Sequence, residues 1–247
     1  MVQFYHIVIL LLSVTTICAQ QLPLHELSSN NPSNSSRLPA DSVLSIYESA
    51  TYNEKGFLNG REYKPYHHPQ KSTPYLNSNY GTGDLYIDGR AYCNKNLYYD
   101  IKLDELILRS YQFPEVYIML NKAIIDSFTI VFDQLEYHLV KMKFTDNCLL
   151  KLEDGFYEMA YNGRFKYIVR HTASTSKEEG YPVYNHVRRH YLRKDSCYYD
   201  VSSKKKFLSL FLEHRKIIKN KCKSMHIGYK KMSIHQMVDL IQFAESL

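Results

Sequence analysis

The apolar residues change period once along this chain, near Ser203, and that switch constrains the fold more than any other feature. Upstream, from 84 to 201, short runs rich in Tyr, Ile, Val and Phe recur between turn signals, the pattern of antiparallel strands. Downstream, Phe207, Leu210, Phe211, His214, Ile217, Ile218 and Cys222 fall at helical spacing and predict an amphipathic helix over Lys204 to Lys221. A second helix is predicted from Ser233. There Ser233-Ile234-His235-Gln236 makes a capping box, and Ile234, Met237, Val238, Ile241 and Ala244 continue as an apolar stripe. The expected class is α+β: an antiparallel β-rich body, arranged as a meander, a sandwich or a partly closed barrel, followed by a C-terminal pair of helices.

Within the β region the expected strands are Asp84 to Ile87, Tyr98 to Lys102, Glu105 to Arg109, Val116 to Leu120, Ser127 to Phe132, Tyr137 to Phe144, His186 to Leu192 and Cys197 to Val201. Asp88-Gly89 and Asn162-Gly163 mark turns. The second lies between Phe156 to Tyr161 and Arg164 to Arg170 and predicts a two-residue type I′ hairpin. In that register Ala160 faces Phe165, Glu158 faces Tyr167 and Phe156 faces Val169, on the side expected to meet the core.

At 247 residues and 29.1 kDa the chain is long enough to bury a core without staples. Residues 1–19 carry no Lys, Arg, Asp or Glu, have an apolar run at Ile7 to Leu12, and end in Ile17-Cys18-Ala19, which reads as a secretory signal peptide. Residues 20–42, with Ser28-Ser29-Asn30-Asn31-Pro32-Ser33-Asn34-Ser35-Ser36, read as a flexible leader. Residues 43–201 are then the β-rich domain, and 202–247 a basic helical segment packed on it. Export would leave Cys93, Cys148, Cys197 and Cys222 where disulfides are allowed, with three pairings open and no C-x-x-C spacing.

The net charge of +6 is unevenly spread. His186 to Lys231 holds fourteen Lys and Arg against three Asp and Glu. Lys204, Lys205, Lys206, Arg215, Lys216 and Lys219 are the candidate contact residues, suited to an anionic envelope lipid, lipopolysaccharide or an acidic envelope protein. Export argues against nucleic acid as the partner, and the mature chain is expected to lack a transmembrane span. His186 and His190 have a zinc-like spacing for a helix, but in a strand they stand roughly 13 Å apart, and no metal or cofactor is expected. Glu158, on the apolar side of its hairpin, is the one carboxylate whose environment could raise its pKa, and the structural reading set against this is a Glu bonded to the Tyr167 hydroxyl or placed at the sheet rim. Nucleophile elbows, P-loops and dinucleotide fingerprints are absent from the sequence. The 23 tyrosines, in a chain without Trp, give a second reading as a glycan-binding module. A hydrolase with a non-standard site at Glu158 is the third.

The segment Gly83-Asp84-Leu85-Tyr86-Ile87-Asp88-Gly89-Arg90-Ala91-Tyr92 is followed by Asn94, Leu97, Tyr99-Asp100 and Asp104-Glu105-Leu106-Ile107. Together with Asn59-Gly60-Arg61-Glu62-Tyr63, Gly155-Phe156-Tyr157-Glu158 and Tyr161-Asn162-Gly163, it resembles a pattern in uncharacterised secreted proteins of Gram-negative envelopes. The resemblance implies an exported β-rich body with a helical tail and brings no catalytic residues with it. The expectation that follows is a non-catalytic binding or scaffolding protein of the cell envelope, in contact with its partner through the basic tail.

Overall fold

The structure, a computed structural model, describes residues 60–66, 72–110, 115–145 and 148–247. The expected signal peptide, the leader, the start of the β-rich domain and the His67-His68 pair lie outside these residues. Among the described residues eleven strands come first: β1 Gly60–Glu62, β2 Gly81–Ile87, β3 Arg90–Asp100, β4 Glu105–Arg109, β5 Tyr117–Leu120, β6 Ile125–Phe132, β7 Leu135–Met142, β8 Gly155–Asn162, β9 Lys166–Glu178, β10 Tyr181–Lys194 and β11 Cys197–Asp200. Three α-helices follow, α1 Lys204–Ser209, α2 Arg215–Ser224 and α3 Ile234–Glu245, with a 3-10 turn at Tyr229–Lys231 before α3. The class is α+β.

All the strands join one open antiparallel sheet in the order β1-β5-β4-β3-β2-β6-β7-β8-β9-β10-β11. It is two meanders, β2 to β5 and β6 to β11, fused where the chain returns after β5 to pair β6 with the free edge of β2. Along β2 the burial alternates strictly, so Gly81, Gly83, Leu85 and Ile87 point inward. At Gly83 the neighbouring strand comes so close that a Cβ would stand 1.8 Å from the Thr129 carbonyl oxygen, so glycine is required there.

Four two-residue links close hairpins with both residues in the left-handed region, as a type I′ turn demands. They are Asp88-Gly89 (φ 47° and 74°), Asp133-Gln134 (47° and 64°), Glu179-Gly180 (52° and 83°) and Asp195-Ser196 (49° and 67°). The Asn162-Gly163 link differs from its prediction. Neither residue has a left-handed φ, the loop is Gly163 to Phe165, and Asn162 pairs with Lys166. A bulge between Met159 and Tyr161 then moves the register, so that Glu158 faces Val169 rather than Tyr167. The cause is tertiary: Glu245, at the end of α3, accepts the Phe165 amide at 2.6 Å and the Tyr161 hydroxyl at 2.7 Å, which holds the loop open. A shift of this size leaves Phe156, Glu158, Tyr167 and Val169 on the predicted face.

The sheet is strongly curled. Asp104, in the β3–β4 turn, bonds Arg170 of β9 at 2.9 Å, although five strand steps separate β3 from β9. A flat sheet would place those strands about 24 Å apart. Curling gives one face a core of Leu85, Leu97, Tyr99, Leu106, Phe128, Leu139 and Phe156. Further along the same sheet Tyr167, Val169 and Leu192 meet Phe207, Ile218, Leu240 and Ile241 of the helices.

The predicted helix over Lys204 to Lys221 is two helices. The chain turns through 210–214, where Lys194 Nζ donates to the Leu210 carbonyl at 2.7 Å, and Phe207 and Phe211 both pack into the core beside Phe165. The break resets the helical phase: Ile218 and Cys222 turn inward, while Ile217, expected in the buried stripe, is exposed. The tail therefore holds three α-helices rather than a pair. The capping box at Ser233 forms as predicted, with reciprocal bonds of 3.2 and 2.9 Å to Gln236.

Candidate functional site

The basic residues of the tail divide by whether the protein itself uses their charge. Lys206 pairs with Asp200 at 2.5 Å. Burial pushes the Asp200 carboxyl up, but the Lys206 hydrogen bond and those from Ser202 outweigh it and hold the group below the usual range. Lys194 lies over the Phe211 ring and Lys221 over the Phe243 ring, each at 5.4 Å, so these two serve packing. Lys204 is half-buried. Lys205, Arg215, Lys216 and Lys219 are exposed, and among the described residues none of them forms an ion pair. Leu212, 70% exposed, and Ile217, 48% exposed, belong to the same stretch of chain. The candidate contact residues are thus not equivalent: Lys206 is paired with Asp200, while Arg215, Lys216 and Lys219 are exposed and form no ion pair among the described residues. Arg215 and Lys216 occupy the first turn of α2, the end at which the helix dipole disfavours a cation.

Glu158 has a different partner from the one expected. Its Oε2 lies 2.6 Å from His171 Nε2, and His171 Nδ1 lies 3.0 Å from His186 Nε2. Glu158 and His171 are buried, and the Tyr137 ring packs edge-on against His171. The Tyr167 hydroxyl instead bonds His190 Nδ1 at 2.7 Å. His171 thus bridges the Glu158 carboxyl group and the His186 ring. Desolvation, the His171 ring and the Arg188 guanidinium hold His186 down to about 4. Desolvation first, then Arg188 and His171, take His190 down to about 4 against weaker pulls from Glu158 and Asp200. His186 makes no other hydrogen bond among the described residues, so no hydroxyl or thiol nucleophile stands against it. Nor, among the described residues, do three or more His, Cys, Asp or Glu gather to hold a metal ion. His186 and His190 point to the same face of β10 but engage separate partners, which is the consequence of strand geometry.

The tyrosines turn mainly toward one another. Tyr63, Tyr66, Tyr75, Tyr80, Tyr98 and Tyr117 form a chain of ring contacts with centroids 5.2 to 6.5 Å apart. The Tyr63 and Tyr66 hydroxyls both donate to Asp100 at 3.0 Å. Asp100 also accepts the Lys102 and Leu103 amides and so shapes the β3–β4 turn. The Tyr99-Asp100 step of the sequence pattern is thus a packing and turn element.

Cys148 and Cys197 form a disulfide that ties the 148–150 segment to β11, and Cys222 is a buried free thiol. This pairing, unspecified by the sequence, anchors that segment to the strand at the end of the sheet. Between the tied segment, β11 and α1 lies a cavity of about 430 Å³ lined by Leu149, Leu150, Tyr199, Leu210, the disulfide and the Asp200–Lys206 pair. Sequence reasoning missed it, because its walls come from three separate stretches of chain.

No protein-family model matches the chain, no curated protein is similar to it, and no solved structure matches its fold.

Proposed function

We propose that this chain is an exported, non-catalytic envelope protein that docks on an anionic lipid surface through its C-terminal helical segment. The observation that carries this reading is the open surface at 212–219. Leu212 and Ile217 are exposed in the same stretch as Arg215, Lys216 and Lys219, which form no ion pair among the described residues. Exposed cations with exposed apolar side chains in the same segment suit an anionic interface, where headgroups take the cations and the boundary region takes the apolar groups. The Cys148–Cys197 disulfide supports the exported half of the reading, since such bonds persist in oxidising compartments. Among the described residues no helix is long and apolar enough to cross a membrane, and docking requires none.

Cosedimentation with phosphatidylglycerol-containing vesicles tests this, with phosphatidylcholine vesicles as reference, at low and high salt. Each basic residue near such a surface contributes about 1 kcal/mol. Replacing Arg215, Lys216 and Lys219 with Gln is therefore expected to weaken binding on the order of a hundredfold. Leu212→Ser with Ile217→Ser weakens what remains at high salt. Lys206→Gln has a smaller effect than any one of those three changes, because Asp200 already offsets part of that charge. Equal binding to both vesicle types would overturn the proposal.

A further inference from the structure

The geometry points to a second ligand site, independent of the docking face: the cavity under α1 takes the chain of a single-chain anionic amphiphile, with its carboxylate on Lys206. Its walls are apolar on three sides, from Leu149 and Leu150, Tyr199 and Leu210, and its volume of about 430 Å³ falls in the range of small-ligand sites. Its apolar groups are incompletely covered by the protein. Leu149 is fully exposed, and Leu150 and Tyr199 are 36% and 39% exposed. Three large apolar side chains held in water around one concavity, beside the Cys148–Cys197 bridge, are stabilised by an occupant that covers them.

The polar end is as specific. Asp200 Oδ1 accepts the Ser202 amide at 2.8 Å and Oδ2 accepts Lys206, which uses one of the three ammonium donors. The Lys206 side chain is 57% exposed and has reach and donors left for a carboxylate at the cavity mouth without leaving Asp200. The surrounding segment carries a large excess of Lys and Arg, so its field favours an anion over a cation. An apolar chain ending in a carboxylate satisfies walls and mouth together.

The absence of tryptophan from the chain makes the test direct. Tyr199→Trp in the full-length protein places a single indole in the cavity wall, and Tyr181→Trp places one on the exposed β9–β10 hairpin as a control. The probe is dibromostearate, used as monomer, whose bromines quench an indole they touch. Saturable quenching of the Tyr199→Trp protein and none of the Tyr181→Trp protein is the expected result. Ser209→Phe, which fills the cavity from an exposed position of α1, is expected to weaken it at least about tenfold. Leu149→Asp, a solvent-facing change that leaves folding intact, does the same by repelling the carboxylate. Lys206→Gln weakens dibromostearate but leaves the corresponding alcohol unchanged. No saturable quenching, equal quenching in both indole variants, or quenching unaffected by Ser209→Phe and Leu149→Asp would overturn the site. Vesicle binding is read through Arg215, Lys216 and Lys219, which do not line the cavity, so the two proposals succeed or fail separately.

Discussion

His171 Nε2 lies 2.6 Å from Glu158 Oε2 across the β8–β9 ladder, with both side chains closed off from water. This pair sits where the strand core ends and the helix-covered core begins, and His171 in turn bonds His186 of β10. Glu158→Leu leaves a buried N–H without an acceptor and is expected to cost about 1–3 kcal/mol in denaturant unfolding. Glu158→Gln keeps an acceptor oxygen and loses less.

His186 and His190 make stability depend on pH. Both have folded values of about 4, below the ordinary 6.5, so between those values the unfolded chain binds more protons than the folded one. Stability is therefore expected to fall as pH drops from about 6.5 to about 4. The charged and titratable groups around them are Glu158, His171, Arg188 and Asp200. His186 keeps solvent contact, so His190 carries more of the effect. Melting temperatures of the protein and of His186→Asn with His190→Asn, taken across that window, check it. The variant's curve should be the flatter one, and parallel curves would refute the assignment.

Asp104 closes the curled sheet. It takes the Tyr99 hydroxyl at 2.5 Å, both terminal nitrogens of Arg170 at 2.9 Å, and Lys122. Asp104→Ala strands the largely buried Arg170 guanidinium and is expected to cost about 3–5 kcal/mol. Gly155→Ala attacks the same contact from the other side, since its Cβ would stand 2.3 Å from Asp104 Oδ2 and 2.4 Å from Arg170 Nη1. Urea titration of both variants should show loss of stability, with Gly155→Ala much reduced in effect once Asp104 is already alanine.

The buried phenols predict an abrupt alkaline titration. Burial raises Tyr63, Tyr66, Tyr99, Tyr157, Tyr167 and Tyr229 well above the ordinary 10, several of them helped by a neighbouring carboxylate. For groups raised in the folded state, the stabilisation is complete below the unfolded value and is lost as pH rises above it. Phenolate absorbance of the buried rings should rise abruptly at high pH, together with loss of circular dichroism. A single smooth titration with the fold intact would contradict the burial.

Gln134 and Ser196 occupy the second position of type I′ turns with φ of 64° and 67°, which side chains other than Gly, Asn and Asp tolerate poorly. Gln134→Gly and Ser196→Gly are each expected to raise stability by about 1 kcal/mol. Chemical denaturation measures this without involving any candidate ligand surface.

The sequence by itself determined the elements, because their signals are local. Alternating apolar residues set the faces of β2 and β8, Asp88-Gly89 set its turn, the Ser233 box set the start of α3, and the period change at Ser203 separated strands from helices. The polar halves of β9 and β10, Thr172 to Asn185, were invisible because they carry no apolar alternation; the long ladder between the strands supplies their order. Tertiary structure decided everything that depends on distant residues. Glu245 overrode the turn preference of Asn162-Gly163, the packing of Phe207 and Phe211 broke one predicted helix into two, and the curl of the sheet brought Asp104 to Arg170. The positions of the charges were legible, but their availability was not. Whether a lysine is a contact residue or half of an ion pair depends on what the fold sets beside it, and for Lys206 that is Asp200.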